Sequence, residues 1–164
     1  MPCEQLSIRS LIASTAGDRI AGTVEAQPMP VKVLEPSRTL VEKLILLHTA
    51  HSDPDPVPAV RAARHFYDVE RLLGQPRVLE RLGETDVSVL ARDVCTYSTI
   101  AGRPARPRPA GGLAASPAFG GGPHVALARG EFEGRVIGQL LWPRAPRPSF
   151  EDCVNAVRGH AELL

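Results

Sequence analysis

The stretch that decides the fold runs from Leu34 to Leu73: LEPSRTLVEKLILLHTAHSDPDPVPAVRAARHFYDVERLL. Pro36-Ser37 opens a helix. Leu40, Leu44 and Leu47 then share one face at helical spacing, with Val41 and Ile45 beside them. The run Ser52-Asp53-Pro54-Asp55-Pro56 ends that helix near His51, because proline removes a backbone donor and clashes with the preceding turn. A second helix is expected from about Val57 to Leu73, where Gly74-Gln75-Pro76 stops it. Leu40, Leu44, Leu47, Phe66, Val69 and Leu73 should lie between or beneath the two helices.

Outward from this pair, Val31 to Leu34 alternates like a strand. Residues 5–14 (QLSIRSLIAS) are amphipathic and suit either a short helix or a strand, and 15–28 reads as a loop or weak strand. Downstream, Val78, Leu79 and Leu82 mark a short helix. Thr85 or Asp86 caps another with Val87, Leu90, Ala91 and Val94 as its stripe. A helix from about His124 to Trp142 and a last one from Pro148-Ser149 follow, with Ser149 and Asp152 resembling a capping box. Residues 102–123 (GRPARPRPAGGLAASPAFGGGP) are too rich in Pro and Gly for a regular helix or a central strand, and such long loops are functional or disordered.

Composition sets the outer bounds. The 164 residues suffice for a hydrophobic core, and a net charge of +1 leaves no global basic field. Cys3, Cys95 and Cys153 are scattered without zinc spacing and read as reduced, small hydrophobes. No apolar run reaches the ~20 residues of a membrane span, and the first ten residues lack a signal-peptide layout. A cytoplasmic protein without membrane contact is expected.

Taken alone, Lys43 either snorkels to solvent or points into a site. Asp68 sits mid-helix between Tyr67 and Val69, with Arg64 four residues before and Arg71 three after, as in a surface ion pair. Together the two helices say more. RTLVEKLILLH followed by RHFYDVERLL resembles the AbiEii/MenT-like nucleotidyltransferase toxin family of bacterial toxin–antitoxin pairs. In that family a lysine after an ERT-x-x-EK run precedes a helix with a hydrophobic-Asp-hydrophobic core. The matching positions are Lys43 and Asp68. The loop 102–123 and the RPSFEDCVNAV tail look like later parts of the family, so the resemblance extends over about residues 31–164.

That resemblance implies an α+β family fold, mainly α in this chain. Residues 1–35 would be a remnant of the nucleotidyltransferase sheet region, and 36–164 a C-terminal helical bundle carrying the Pro/Gly/Arg-rich loop. It implies transfer of a nucleotide from an NTP to RNA, at the tRNA 3′ end, with Mg²⁺. Lys43 would be catalytic and hold the triphosphate. Asp68 would be catalytic too, as a metal ligand or as the base at the acceptor hydroxyl. Arg64 and His65 would bind nucleotide or orient Asp68, and His48 would do likewise. Partners would be tRNA or another RNA and a cognate antitoxin.

The resemblance also exposes a gap. The family opens with a Gly-Ser turn and an Asp-x-Asp pair on a strand, and residues 1–40 hold neither. Asp53-Pro54-Asp55 is the sole Asp-x-Asp in the chain, and a helix-ending turn accounts for it. The chain is therefore expected to be incomplete for catalysis, or a binding module derived from the family. In the loop, Arg103, Arg106 and Arg108 either meet an RNA backbone or are solvated, with Tyr97 and Phe119 as the nearby rings for base stacking.

Overall fold

The computed structural model describes residues 3–20 and 22–164; Ala21, inside the stretch expected as loop or weak strand, lies outside the described residues, as do Met1 and Pro2 of the N-terminal segment. The chain divides into two compact units, Met1–Glu35 and Pro36–Leu164.

The first unit holds two strands, β1 (Cys3–Ile8) and β2 (Met29–Leu34), paired antiparallel with Cys3 opposite Leu34 and Ile8 opposite Met29. The ambiguous stretch 5–14 is both things in turn. β1 ends at Ile8, and helix α1 (Leu11–Ala16) begins after Ser10, whose hydroxyl accepts from the Ile12 backbone N–H at 3.2 Å. Two short 3₁₀ turns lead from there to β2.

The second unit is helical and built around α2 (Pro36–His51). Leu40, Val41, Leu44, Ile45 and Leu47 are all at most 1 % exposed, so apolar side chains cover more than one face of this helix. That makes α2 a central helix instead of a one-sided surface one. It packs against α3 (Val57–Ala62), α4 (Arg64–Leu73), α5 (Pro76–Gly83) and α6 (Val87–Ile100). Helix α4 in turn packs on α8 (Phe150–Gly159). Four phenylalanines join these layers. Phe66 meets Phe150 at 4.6 Å and Phe119 at 5.9 Å between ring centroids, and Phe132 meets Phe150 at 5.7 Å. Tilted and edge-on geometries suit the ring quadrupoles. The fold is mainly α with a small sheet, as the fold class required.

Several elements differ from the sequence expectation in detail. The single helix expected over 57–73 breaks at Ala63, where the Ala63 N–H donates to Val60 O and the Phe66 N–H to Ala63 O, both at 3.2 Å. These three-residue closures tighten the turn and restart the helix at Arg64. The helix expected over 124–142 is α7 (Pro123–Glu131) followed by a π-helix, Phe132–Leu140. Asp86, not Thr85, caps α6, accepting from the Ser88 N–H at 2.8 Å. Both arms of the Ser149–Asp152 capping box form.

The segment 102–123 is packed, with two 3₁₀ turns of its own. The Arg106 N–H donates to Thr49 Oγ1 at 2.9 Å, and Arg158 donates to Phe119 O at 2.7 Å. Leu113, Ala118 and Phe119 enter the core. This corrects one expectation: Phe119 is 3 % exposed and has no face to offer a base. Arg108 is tied by Nε to Leu164 O at 3.0 Å, whereas Arg103 and Arg106 are exposed. No helix among the described residues is long and apolar enough to cross a membrane.

Candidate active site

Lys43 leaves the flank of α2 and Asp68 the first half of α4, so the packing of those two helices sets their distance. Lys43 Nζ lies 2.8 Å from Asp68 Oδ2. His65, one turn before Asp68 on α4, puts Nδ1 3.2 Å from that same oxygen and 3.1 Å from Lys43 Nζ. One ring nitrogen cannot serve both neighbours at once. Protonated, it donates to the carboxylate; unprotonated, it accepts from the ammonium. The Lys43 side chain is 25 % exposed and that of Asp68 38 %, so the cluster opens to solvent from a half-buried base. The hydrogen bond from His65 and the neighbouring Lys43 ammonium hold the Asp68 carboxyl below its ordinary range, against the opposing effect of burial.

A cleft of about 310 Å³ adjoins the cluster, walled by Leu46, Thr49 and Ala50 of α2, by Asp53 and Pro58, and by Arg61, Arg64 and His65. His65 thus belongs to both the cluster and the cleft. Arg64 stands on the cleft wall without touching Asp68. Neither Arg61 nor Arg64 has a side-chain ion pair or hydrogen bond among the described residues. These two guanidiniums, against the Asp53 carboxylate, are the fixed charges of the cleft wall, and guanidiniums suit phosphate oxygens.

His48 is elsewhere. It is buried, and its Nδ1 meets Ser116 Oγ at 3.2 Å. Ser116 Oγ also accepts from the Ala118 N–H at 3.2 Å. His48 therefore fastens the 102–123 segment to α2, and burial, aided by the Arg106 charge, lowers its pKa. His51 has its pKa lowered the same way, chiefly by burial, and its Nε2 has no hydrogen-bond partner among the described residues.

The Asp53-Pro54-Asp55 carboxylates are turn formers. Asp53 Oδ1 accepts from the Asp55 N–H and Asp55 Oδ1 from the Val57 N–H, both at 2.9 Å. Among the described residues no group of three or more His, Cys, Asp or Glu stands together as a metal set. Asp68 offers a single carboxylate whose Oδ2 already faces an ammonium and an imidazole, and Mg²⁺ prefers several oxygen ligands. These residues do not fit that ion by themselves.

Arg38 escaped the sequence reading. It is 3 % exposed, pairs with Glu42 at 3.1 Å and Asp93 at 3.2 Å, and lies 5.8 Å from the Tyr97 ring centroid. It locks α2 to α6 five residues before Lys43. The Glu42 spacing at i,i+4 was visible in the sequence, but nothing marked Asp93 as its second partner.

The second unit is thus a helical bundle with a Lys–His–Asp cluster beside a cleft that carries two arginines. A model of the family described as nucleotidyl transferase AbiEii toxin, type IV toxin–antitoxin system, matches residues 1–120. The chain belongs to that family, whose toxins are paired with an antitoxin. The match takes in residues 1–30, which the motif-based resemblance had left out, and stops short of the last helix. No curated protein and no solved structure matches the chain.

Proposed function

We propose that the Lys43–His65–Asp68 cluster is the nucleotide-transfer site of this toxin, with an NTP as donor and RNA, the tRNA 3′ end, as acceptor in the cytoplasm. The observation that carries this is the 2.8 Å contact between Lys43 Nζ and Asp68 Oδ2, across 25 residues of sequence, joined through His65 to a cleft with two unpaired arginines. Transfer of a nucleotidyl group spreads negative charge over phosphate oxygens, so positioning and fixed positive charge do most of the work. Lys43 supplies a compact charge to the triphosphate, and Arg64 adds a second from the cleft wall. Asp68, kept ionised, accepts a hydrogen bond from the acceptor hydroxyl and takes its proton as that oxygen bonds to the α-phosphorus, while the bond from the α-phosphorus to pyrophosphate breaks and pyrophosphate leaves. His65 holds Asp68 in that orientation.

The carboxylate pair that would bind Mg²⁺ in this family is not among these residues, so we read the chain as incomplete for transfer by itself. A second reading follows from that gap together with the mutual neutralisation of Lys43 and Asp68. On it, the chain is a non-catalytic module that binds RNA or the antitoxin.

Incubating the protein with Mg²⁺, total tRNA and each labelled NTP, beside Asp68→Asn, separates the two. Label transfer that the substitution abolishes supports the transfer site and shows that the missing pair is dispensable. Transfer that appears only when a polypeptide bearing the Gly-Ser and Asp-x-Asp motifs is added supports an incomplete enzyme. No transfer under either condition favours the binding module.

A further inference from the structure

The cleft beside Lys43 does not end at Arg61 and Arg64. A second cleft of about 370 Å³ shares both residues and continues along Val60, Glu131, Arg135, Val136 and Leu140. Arg61 and Arg64 thus form a common wall, one cleft on each side. Arg135 stands on the π-helix, and its side chain is 63 % exposed. Its ion pair with Glu131, at 3.3 Å, leaves it only partly compensated. Asp53 and Glu131 are the only acidic residues in the two walls, against Arg61, Arg64 and Arg135. Val60 and Leu140 add apolar surface to the second cleft. The net charge of the two walls is small, and what distinguishes them is that Arg61 and Arg64 have no side-chain partner among the described residues.

We propose that Arg61, Arg64 and Arg135 form a strip that grips successive phosphates of a nucleic-acid strand, leading its end toward Lys43 and Asp68. The direction of the strip rests on the transfer reading above; the grip itself does not. Guanidiniums suit phosphate oxygens because they present paired donors in a plane. The apolar residues of the second cleft can lie against sugars. Nothing in the strip reads base edges, so it holds a backbone irrespective of sequence.

The test is equilibrium binding of a labelled RNA hairpin with a single-stranded 3′ end, read by fluorescence anisotropy without NTP over a series of salt concentrations. Arg61→Gln, Arg64→Gln and Arg135→Gln should each weaken binding by about 3- to 10-fold and lower the salt slope by about 0.7, the value for one lost single-strand phosphate contact. Arg92→Gln, the same change on α6 away from both clefts, should leave both unaltered. All four side chains are exposed, so folding is not at stake, and thermal melting checks it. A DNA strand of the same sequence should show the same losses, since the phosphates are common to both. Cleft variants that bind like Arg92→Gln, losses confined to RNA, or no binding by the unaltered protein would each overturn the strip. Arginine-dependent binding without transfer, both alone and with the added Gly-Ser/Asp-x-Asp polypeptide, would leave the strip standing and remove the transfer reading. Transfer with arginine variants that bind normally would do the reverse.

Discussion

Asp68 shares one oxygen with an ammonium and an imidazole, and so it is easier to ionise in the folded chain than in the unfolded one. The sign follows from linkage. Its folded pKa lies below the ordinary 3.8, so the stabilisation is complete above about that value and is lost as pH falls through the folded pKa. Asp68→Asn should therefore lower the melting temperature at neutral pH and flatten the acid limb below about pH 4, where the two profiles converge. An acid limb identical to that of the unaltered protein would contradict this. His48 and His51 act in a higher range. Burial lowers both below 6.5, so the unfolded chain binds protons that the folded chain refuses. Stability should fall as pH drops below about 6.5, and His48→Gln should reduce that slope, read by thermal melting between pH 8 and pH 5. Of these residues the sequence exposed Lys43 and Asp68, because each sits in a recognisable helical run. It could not expose the inward turn of His48, because burial depends on where the 102–123 segment lies.

At the scale of the elements, α2 and α4 were legible because their apolar spacing is regular and Pro or Gly brackets them. Leu40, Leu44, Leu47, Phe66, Val69 and Leu73, expected at their contact, are all at most 1 % exposed. Phe66 is the keystone of this packing, touching His51, Phe119 and Phe150. Phe66→Ala should cost about 3–5 kcal/mol in denaturant unfolding, since four elements would face the cavity. A loss below about 1 kcal/mol would mean that the aromatic cluster is not a principal support. The break at Ala63 and the π-helix after Glu131 were not legible. Both shift the backbone hydrogen-bond spacing by one residue, and a hydrophobic period read over a short window does not resolve that. They matter because the first places Arg64 and His65 at the start of α4, and the second carries Arg135.

For the molecule as a whole, the helical content came from periodicity, and the family came from two motifs within it. The packed state of 102–123 did not, because Pro and Gly forbid regular structure without saying whether a segment is solvated. Here Thr49, Ser116 and Leu164 answer that question through named hydrogen bonds. On the proposed function, Lys43 is the charge that receives the triphosphate, and Asp68 competes with that triphosphate for it. Equilibrium binding of a labelled NTP to the unaltered protein, Lys43→Met and Asp68→Asn tests this directly. The account predicts that Lys43→Met weakens binding by about tenfold or more, whereas Asp68→Asn, by releasing the ammonium, strengthens it by about 3- to 10-fold. Binding that is indifferent to Lys43, or that falls in Asp68→Asn, would contradict it.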